Sequence, residues 1–408
     1  MPTEPHATAV VEAEGHLVDS QLLTAIFDAV IQRGGTFEVL RFDIGRTNDD
    51  FSRLTLRVSA PGEPALGELL AALIPLGCRP EADHDALIRV ADRPGCAPED
   101  FYSTTNHRTA VRVDGRWLTV DRQRMDAAIV VDHDRATCRK LRDIGIGDRV
   151  VCGLDGIRVT PEFRDRDRSD FTFMTNDVSS ERRVGASVAK IAAMMREVKS
   201  AGGRIVFVAG PVVVHTGGAL YFSRLIRAGF VDVLLAGNAL AVHDAELALF
   251  GTSLGVDLEA GAAVSGGHRH HMRAINLINR AGGLRQAVEG GLLQTGVMVE
   301  CIRAGVEYVL AGSVRDDGPI ADTITDIVQA QDRYAGALES AGMAIVLSTM
   351  LHGIGVGNML PAWVPLVCVD INPAVVTKLA DRGSSQTIGV VTDVGLFLHH
   401  LASHLVPE

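Results

Sequence analysis

Glycine and polar residues follow six short apolar runs in the C-terminal half of the sequence, where buried strands would end. Glycine lets a backbone approach a phosphate closely, helix N-termini donate N–H groups to it, and a carboxylate accepts hydrogen bonds from ribose hydroxyls. The six segments are 210–211, 237–239, 312–319, 349–353, 370–373 and 392–395. Their chemistry predicts a dinucleotide site, and NAD is the cofactor that we expect.

The densest glycine run, 353–357, has G-x-G-x-G spacing, which departs from the G-x-G-x-x-G dinucleotide fingerprint. Because Pro361 and Pro365 leave no room for a full helix before the next strand, we interpret this run as a phosphate-contacting loop or as a tight turn. Asp370 falls about where a ribose-binding acid lies in the Rossmann pattern. Its alternative role is the N-cap of a helix that begins near Pro373.

Two other segments could contribute to a site. His107 beside Arg108 offers a general base and a positive charge that could face a substrate across a domain cleft, although a solvated loop explains the pair equally well. The polar segment 175–182 could bring hydroxyl and amide groups to the cofactor, or it could form the polar start of a helix.

Three histidines in the segment 267–271 could bind a metal, since His-x-His places two imidazoles on one side of a strand. No cysteine lies nearby and helix-like residues follow from Met272. We therefore expect the cluster to meet a phosphate or a substrate carboxylate, or to cap a helix, and we predict no metal site. His243 and Asp244 are adjacent in a helical run, so their side chains should diverge.

Composition argues against several classes of protein. The 408 residues carry a net charge of −11, which disfavours binding to nucleic acid or to an anionic membrane. The six cysteines have no C-x-x-C spacing and fit reduced thiols that pack in a core. We find no signal-like N-terminus and no uninterrupted apolar run of about 18 residues, so we expect a cytoplasmic protein.

The motifs of covalent and hydrolytic catalysis are missing from the sequence. None of the four lysines has the glycine-rich or apolar context of a Schiff-base nucleophile. G-x-S-x-G, H-E-x-x-H and P-loop motifs do not occur. Hydrolase and kinase functions therefore lose their usual support.

Three domains are expected from the changes of pattern along the chain: an α+β module over 1–103, a small β-rich domain with a linker over 104–168, and an NAD-binding domain over 169–408. In the first, helices at 21–33 and 65–76 flank strands at 37–44 and 53–59. The strands expected in the second are 109–113, 116–120, 127–131 and 149–152. The third should alternate helices with apolar strands at 205–209, 231–236, 308–311, 344–348, 366–370 and 388–391. The fold class is therefore α/β, ending in a doubly wound parallel sheet.

Motifs spread over nearly the whole chain are shared with a known family: 15–20, 34–35, 104–107, 175–182, 235–239, 267–276, 312–320, 349–352 and 370–373. Through them the chain resembles the LOR/SDH conserved-domain family. That family includes the archaeal-type ornithine cyclodeaminases and the C-terminal half of the cyanobacterial arginine dihydrolase/ornithine cyclodeaminase. The C-terminal domain also looks like the deoxyhypusine-synthase type of NAD-binding fold, which would explain the irregular glycine spacing.

The resemblance implies NAD bound at strand ends by Asn238, Ala239, Asp317, Thr349, Met350, Leu351, His352, Asp370, Ile371, Asp393 and Val394. It implies conversion of L-ornithine to L-proline and ammonia by internal hydride cycling. The arginine-hydrolysing domain of the cyanobacterial fusion is missing from this sequence, so that activity is not expected.

Such a reaction needs a base, a positive group for the carboxylate and a partner for the distal amine. The candidates are His107 or His352, Arg108 or Arg315, and Asp177 or Asp316, respectively. Two alternatives remain open: an NAD-dependent dehydrogenase or cyclodeaminase of another amino acid, such as lysine, and a non-catalytic NAD- or amino-acid-sensing module. By analogy with deoxyhypusine-synthase-like domains, we expect a homo-oligomer, either a dimer or a tetramer.

Overall fold

Two units make up the chain in the computed structural model. The model describes residues 6–18, 22–46, 50–80, 84–161, 180–253, 256–257, 269–316, 318–382 and 387–406. The first unit comprises Met1–Asp170 with Asn358–Trp363, and the second comprises Phe171–Gly357 with Val364–Glu408. The domain boundary expected near residue 168 lies outside the described residues, so the domain limits stay predictions.

An antiparallel four-stranded sheet with two helices begins the first unit. Its elements are β1 (His6–Gly15), α1 (Leu22–Gln32), β2 (Thr36–Asp43), β3 (Ser52–Pro61), α2 (Gly62–Leu73) and β4 (Arg79–Pro80), with a 3-10 turn at Ile74–Leu76. The strand order β2-β3-β1-β4 is that of a split βαβ fold. Ile26 of α1 and Leu69 of α2 share a buried core with Leu54 and Leu56 of β3.

The predicted order of helix, two strands and helix is confirmed, but the sequence pattern does not predict β1. Its residues include several alanines and glutamates, which have a low preference for strands. All ten residues of β1 nevertheless pair with β3, from His6 opposite Pro61 to Gly15 opposite Ser52. Tertiary pairing therefore overrides local propensity in this strand.

A second sheet, of seven strands, follows in the same unit. Its strands are β5 (Leu87–Val90), β6 (Arg108–Val113), β7 (Arg116–Asp121), β8 (Ala128–Asp132), β9 (Arg135–Arg139), β10 (Arg149–Cys152) and β11 (Ile157–Thr160), with a 3-10 turn at Leu141–Asp143. The strand order is β11-β6-β7-β9-β8-β10-β5. The four predicted strands are confirmed, and β5, β9 and β11 are additional to them.

The segment Asn358–Trp363 belongs to the first unit although it is distant in sequence. The Ala362 amide donates to the Asn106 carbonyl at 2.8 Å. The Arg108 guanidinium carbon lies 4.2 Å from the centre of the Trp363 ring, a cation–π arrangement. These contacts attach the segment to the start of β6.

The second unit contains a parallel seven-stranded sheet and a separate hairpin. Its strands are β12 (Arg204–Ala209), β13 (Val233–Gly237), β14 (Thr252–Ser253), β15 (Val256–Asp257), β16 (Glu307–Ala311), β17 (Thr323–Ile324), β18 (Ala341–Leu347), β19 (Leu366–Asp370) and β20 (Thr387–Val391). Strands β14 and β15 form the hairpin, and the others pair in parallel in the order β17-β16-β13-β12-β18-β19-β20. All six strands predicted here are confirmed, as is the doubly wound parallel sheet.

Helices connect the strands of this sheet. They are α3 (Ser180–Ser200), α4 (Val212–His215), α5 (Ala219–Arg227), α6 (Asn238–Phe250), α7 (His270–Ala281), α8 (Leu284–Glu289), α9 (Val297–Ala304), α10 (Ile327–Leu338), α11 (Met350–Met359), α12 (Pro373–Arg382) and α13 (Val394–Leu405). Val206, Phe207 and Val208 alternate between the two faces of β12 and are all fully buried, so both faces are covered. None of the helices in the described ranges has the length and hydrophobicity that a membrane crossing requires.

The glycine run 353–357 lies inside α11, so its interpretation as a phosphate-contacting loop or a tight turn is wrong. The helix begins three residues after the last residue of β18, and its ten residues end at Met359, before Pro361. A β-carbon on Gly353 would lie 2.8 Å from Val346 Cγ1 and 3.1 Å from Leu379 Cδ2. The glycine at 353 thus lets α11 pack closely on the sheet.

Asp244 holds the start of α9 from within the core. Its carboxylate accepts the amides of Val297 and Met298 at 2.8 Å each. Burial raises the pKa of Asp244 to about 6, and the two amide hydrogen bonds oppose this shift only in part. A β-carbon on Gly296 would lie 2.6 Å from the Asp244 carboxylate, so glycine is needed beside it.

We predict that the unfolding free energy of the wild type, measured relative to Asp244→Asn, falls by about 2 kcal/mol as pH rises from 4 to 7. The folded pKa of Asp244, about 6, exceeds the ordinary value of 3.8, so the folded state binds more protons between these values and loses stability as pH rises through them. Urea unfolding at several pH values measures the slope. Glu289→Gln, at an exposed position ending α8, is the control. If the unfolding free energy of the wild type relative to Asp244→Asn rises with pH, the raised pKa of Asp244 is contradicted.

Candidate functional site

All seven strands of the parallel sheet end at one edge, because they run in the same direction. In the described part of the chain, five helices of eight or more residues begin at this carboxyl edge: α6, α10, α11, α12 and α13. A helix N-terminus presents free N–H groups and the positive end of the helix dipole. The edge is therefore suited to anionic groups such as phosphates.

The strand order reverses between β12 and β18, which is where ligands bind in open parallel sheets. The Gly210 amide donates to the Leu347 carbonyl at 2.9 Å. A β-carbon on Gly210 would lie 2.4 Å from the Ser348 carbonyl oxygen. Ser348 itself has a positive φ of 46°, which is uncommon for a residue other than glycine. The two loops that border the reversal are thus in direct contact.

Asp370 ends β19 as predicted and is only 6% exposed. Its carboxylate accepts the Asn372 amide at 2.8 Å and the Ser348 hydroxyl at 3.3 Å. Asn372, whose side chain accepts the Ala374 amide at 3.0 Å, caps α12. The alternative role of Asp370 as that cap is therefore wrong. A carboxylate has about four acceptor positions, so Asp370 can accept further hydrogen bonds at the edge.

Asp393 and Val394 begin α13 beside the same edge. The Asp393 side chain accepts the Leu396 amide at 2.9 Å and caps the helix, while Val394 is buried. A β-carbon on Gly395 would lie 2.6 Å from the Thr216 carbonyl oxygen. Close packing of backbone here orders the N-terminal turn of α13.

Asn238 and Ala239 form the start of α6 after β13. Asn238 is only 4% exposed. Its side-chain oxygen accepts hydrogen bonds from the Ile320 backbone amide and from the Thr323 hydroxyl, at 3.1 Å each. Asn238 thereby fixes the chain that leads into β17. Its side-chain oxygen is engaged in this structural role.

His352, in the first turn of α11, reaches the end of β13. Its Nδ1 lies 2.8 Å from the hydroxyl oxygen of Tyr334, which in turn donates to the Ala236 carbonyl at 2.8 Å. A β-carbon on Gly237 would lie 3.6 Å from His352 Nε2. Burial lowers the pKa of His352 below its ordinary value, and the Asp316 carboxylate opposes this effect.

Tyr334 is absent from the residues that the sequence indicates for the site. It lies on the buried face of α10 with Ala330 and Ala337, at a spacing typical of core positions. The available signal is chemical, because a tyrosine buried on a helix face needs a partner for its hydroxyl.

The other candidates of the second unit lie in surface loops or first turns of helices. Asp316 accepts the Ser313 amide at 2.7 Å and closes a turn after β16, and Arg315 in that turn is exposed. Leu351 is 75% exposed and Ile371 is 69% exposed. Thr349, between β18 and α11, and Met350, the first residue of α11, are half-buried. Asp177 and Asp317, like most of the segment 175–182, lie outside the described residues.

His107 and Arg108 belong to the first unit, not to the unit that carries the carboxyl edge. His107 precedes β6, and its carbonyl accepts the Thr109 hydroxyl at 3.0 Å. Arg108 stacks on Trp363, as described above. His107 ends the loop 104–107 and Arg108 begins β6, and their catalytic role stays a prediction.

Two histidines outside the edge, His243 and His270, hydrogen-bond to the buried residues Glu246 and Thr252. His243 Nδ1 lies 3.1 Å from Glu246, which also accepts the Thr252 hydroxyl at 3.0 Å. The Thr252 oxygen lies 2.8 Å from His270 Nδ1 at the start of α7. Since Asp244 points to α9, the predicted divergence of His243 and Asp244 is confirmed. His268 lies outside the described residues.

Five of the six cysteines are buried and all six are free thiols, as expected for packing residues. Burial raises the pKa of Cys78 and of Cys368 to about 12 in each case. These thiols are therefore poor nucleophiles, since reactivity requires the thiolate.

Family models cover nearly the whole chain. Residues 8–107 match the LOR/SDH bifunctional enzyme conserved region. Residues 108–188 match the first C-terminal region of the ArgZ-like arginine dihydrolases, and residues 189–401 match their Rossmann-fold region. The resemblance to deoxyhypusine synthases stays a prediction.

Two relatives illustrate the range of proteins that the chain is similar to. The bifunctional arginine dihydrolase/ornithine cyclodeaminase AgrE of Nostoc sp. is 49% identical over 98% of this chain, which spans 59% of that protein. The ornithine cyclodeaminase of Methanocaldococcus jannaschii is 48% identical over 97% of this chain and 95% of its own length. The chain thus spans about three fifths of the fusion protein and nearly all of the archaeal one.

Solved structures agree with these matches. The apo structure of cyanobacterial ArgZ has a TM-score of 0.86 and 46% identity, over 98% of this chain and 58% of that one. The ternary complex of AgrE with ornithine and NAD+ has a TM-score of 0.54 and 47% identity, over 98% of this chain and 57% of that one. A relative that binds both molecules is therefore similar along the whole chain.

We predict that Gly210→Ala destabilises the protein by about 2 kcal/mol, because the added methyl would meet the Ser348 carbonyl and force the backbone apart. The matched control is Gly185→Ala in α3, where no heavy atom lies within 4 Å of the new β-carbon. This control should be neutral or slightly stabilising. Urea unfolding compares them, and equal stability of the two variants would show that the loops do not pack as described.

Proposed function

The chain belongs to the family that joins a LOR/SDH conserved region to the ArgZ-like C-terminal regions, and from this premise we propose that it is an NAD-dependent ornithine cyclodeaminase. The proposed reaction converts L-ornithine to L-proline and ammonia. Archaeal relatives that bear this name match over nearly their full length, which supports the choice of substrate. Hydrolysis of arginine is not part of the proposal.

The Asp370 carboxylate carries the cofactor part of the proposal. It ends β19, one strand away from β18, where the strand order reverses, and it contacts Ser348 at that reversal. It retains acceptor positions for the hydroxyls of a ribose. A carboxylate placed in this way fits NAD, whose ribose offers a 2′-hydroxyl, better than NADP with its 2′-phosphate.

The remaining edge also fits a dinucleotide. Thr349, Met350 and Leu351 would hold it at the N-terminus of α11, Asp393 and Val394 at that of α13, and Asn238 and Ala239 at that of α6. We retain Asp317 and Ile371 in the proposed set. When bound, NAD supplies a reversible hydride acceptor, so that a substrate can be oxidised and its cyclic product reduced without net redox change.

The chain's own residues would handle protons and charge. A base, His107 or His352, would take a proton from the α-ammonium group of ornithine. Arg108 or Arg315 would hold the substrate carboxylate, and Asp177 or Asp316 the distal amine. We further propose a cytoplasmic homo-oligomer, a dimer or a tetramer. The free thiols support a reducing compartment.

We predict that purified protein with substoichiometric NAD converts L-ornithine to equimolar proline and ammonia. Turnover should exceed the amount of NAD, because the cofactor returns to its oxidised form. Chromatography of proline, an enzymatic ammonia assay and absorbance at 340 nm measure the outcome.

Three results would redirect the proposal. Net accumulation of NADH would indicate a dehydrogenase, and product from lysine but not from ornithine would change the substrate. Tight NAD binding without turnover over an amino-acid panel would favour a sensing module.

We predict that Asp370→Asn raises the Kd for NAD about tenfold or more, since an amide is a weaker acceptor for ribose hydroxyls than a carboxylate. The amide oxygen can still accept the Asn372 amide, so the fold should persist. Isothermal titration measures the Kd. Asp28→Asn, exposed on α1 in the first unit, is the control. Unchanged NAD affinity in Asp370→Asn would remove Asp370 from the cofactor site.

A further inference from the structure

We propose that Tyr334 is a positioning residue that holds His352 with Nε2 as a proton acceptor, which makes His352 the general base of the site. The proposal rests on the proposed function and selects between the two candidate bases, His107 and His352. It depends on the three-residue chain His352, Tyr334 and Ala236, for which every partner is given by geometry.

The direction of each hydrogen bond follows from chemistry. The Ala236 carbonyl oxygen can only accept, and it lies 2.8 Å from the Tyr334 hydroxyl. The single hydroxyl proton is therefore directed at that carbonyl. His352 Nδ1, 2.8 Å from the same hydroxyl oxygen, must then donate its own N–H. The neutral imidazole consequently carries its proton on Nδ1 and leaves the lone pair on Nε2.

Tyr334 also fixes the orientation of the His352 ring. Tyr334 is 6% exposed on α10, and its ring centre lies 5.8 Å from that of His352. The Cε1–Nε2 edge of the His352 ring faces the position that a side chain at Gly237 would occupy, since a β-carbon there would lie 3.5 Å from Cε1 and 3.6 Å from Nε2. Nε2 is thereby directed to the carboxyl end of β13, within the edge that we assign to the cofactor.

Charge around the imidazole suits a base that is neutral before the reaction. Burial lowers the pKa of His352 below its ordinary value, which favours the neutral ring at physiological pH. Among the described residues, the groups that act on it are the Tyr334 hydroxyl from α10 and the Asp316 carboxylate from the turn after β16. Asp316 would stabilise the imidazolium once it forms.

The proposed step moves one proton. An N–H bond of the substrate ammonium breaks, an Nε2–H bond forms, and the electron pair stays on the substrate nitrogen. The imidazolium keeps its Nδ1–H bond to Tyr334 throughout, so the ring does not rotate. The proton is available afterwards for the departing ammonia.

His352→Asn should lower kcat by about a hundredfold or more, the usual contribution of a general base. Tyr334→Phe keeps the buried ring and removes only the hydroxyl. It should lower kcat about tenfold, the equivalent of one net hydrogen bond, with little change in KM. Tyr308→Phe is the matched control, because its hydroxyl donates to Asp322 at 3.2 Å and does not contact His352.

Two measurements separate a positioning role of Tyr334 from a merely structural one: the pH dependence of kcat/KM and the tautomer of His352. In the wild type, kcat/KM should fall only below pH 6.5, because the pKa of His352 is lowered from that value. The ¹⁵N spectrum of histidine-labelled protein, assigned with His352→Asn, should show the Nδ1–H tautomer in the wild type and in Tyr308→Phe. It should show a shift to Nε2–H in Tyr334→Phe.

An unchanged tautomer in Tyr334→Phe, or full activity of His352→Asn, would overturn this proposal. The tautomer is measured without substrate, so it tests Tyr334 even if ornithine is not turned over. Lack of proline formation by the wild type would overturn the proposed function alone. Loss of activity in His107→Asn with an active His352→Asn would move the base to the first unit.

Discussion

Parallel pairing of β12 with β13 on one side and β18 on the other is the constraint on which the second unit depends. Parallel neighbours require long crossover connections, so helices return the chain between them and every strand ends at one edge. From β12 the chain continues to β13, towards one end of the strand order, and from β18 it continues to β19, towards the other end. The loops after the strands thereby gather polar residues that lie more than one hundred positions apart.

Side chains at this edge hold the backbone as well as presenting chemistry. Asn238 fixes the approach to β17, Asp393 caps α13, and Asp370 ties Ser348 to the turn before α12. Such bonds stabilise loops whose backbone groups would otherwise lack partners. A ligand that binds there meets groups whose positions are already determined, which reduces the ordering cost of binding.

Helix α11 connects packing to function. Its glycine at 353 lets the helix approach Val346 of β18 closely, and the same approach carries His352 towards the end of β13. Glycine here serves helix–sheet contact, not phosphate contact. The buried hydroxyl of Tyr334 and the carbonyl of Ala236 then complete a hydrogen-bond chain that orients the imidazole.

The six main strands of the second unit and the polar residues that follow them can be predicted from the sequence, because continuous apolar runs and helical spacing are local patterns. Three features follow from tertiary contacts instead: β1 is a strand, residues 353–357 are helical, and Asn372 caps α12 in place of Asp370. The tertiary structure alone brings Tyr334 to His352. Periodicity reports which residues are buried, whereas hydrogen-bond partners depend on strand order and helix packing, which spacing along the chain does not encode.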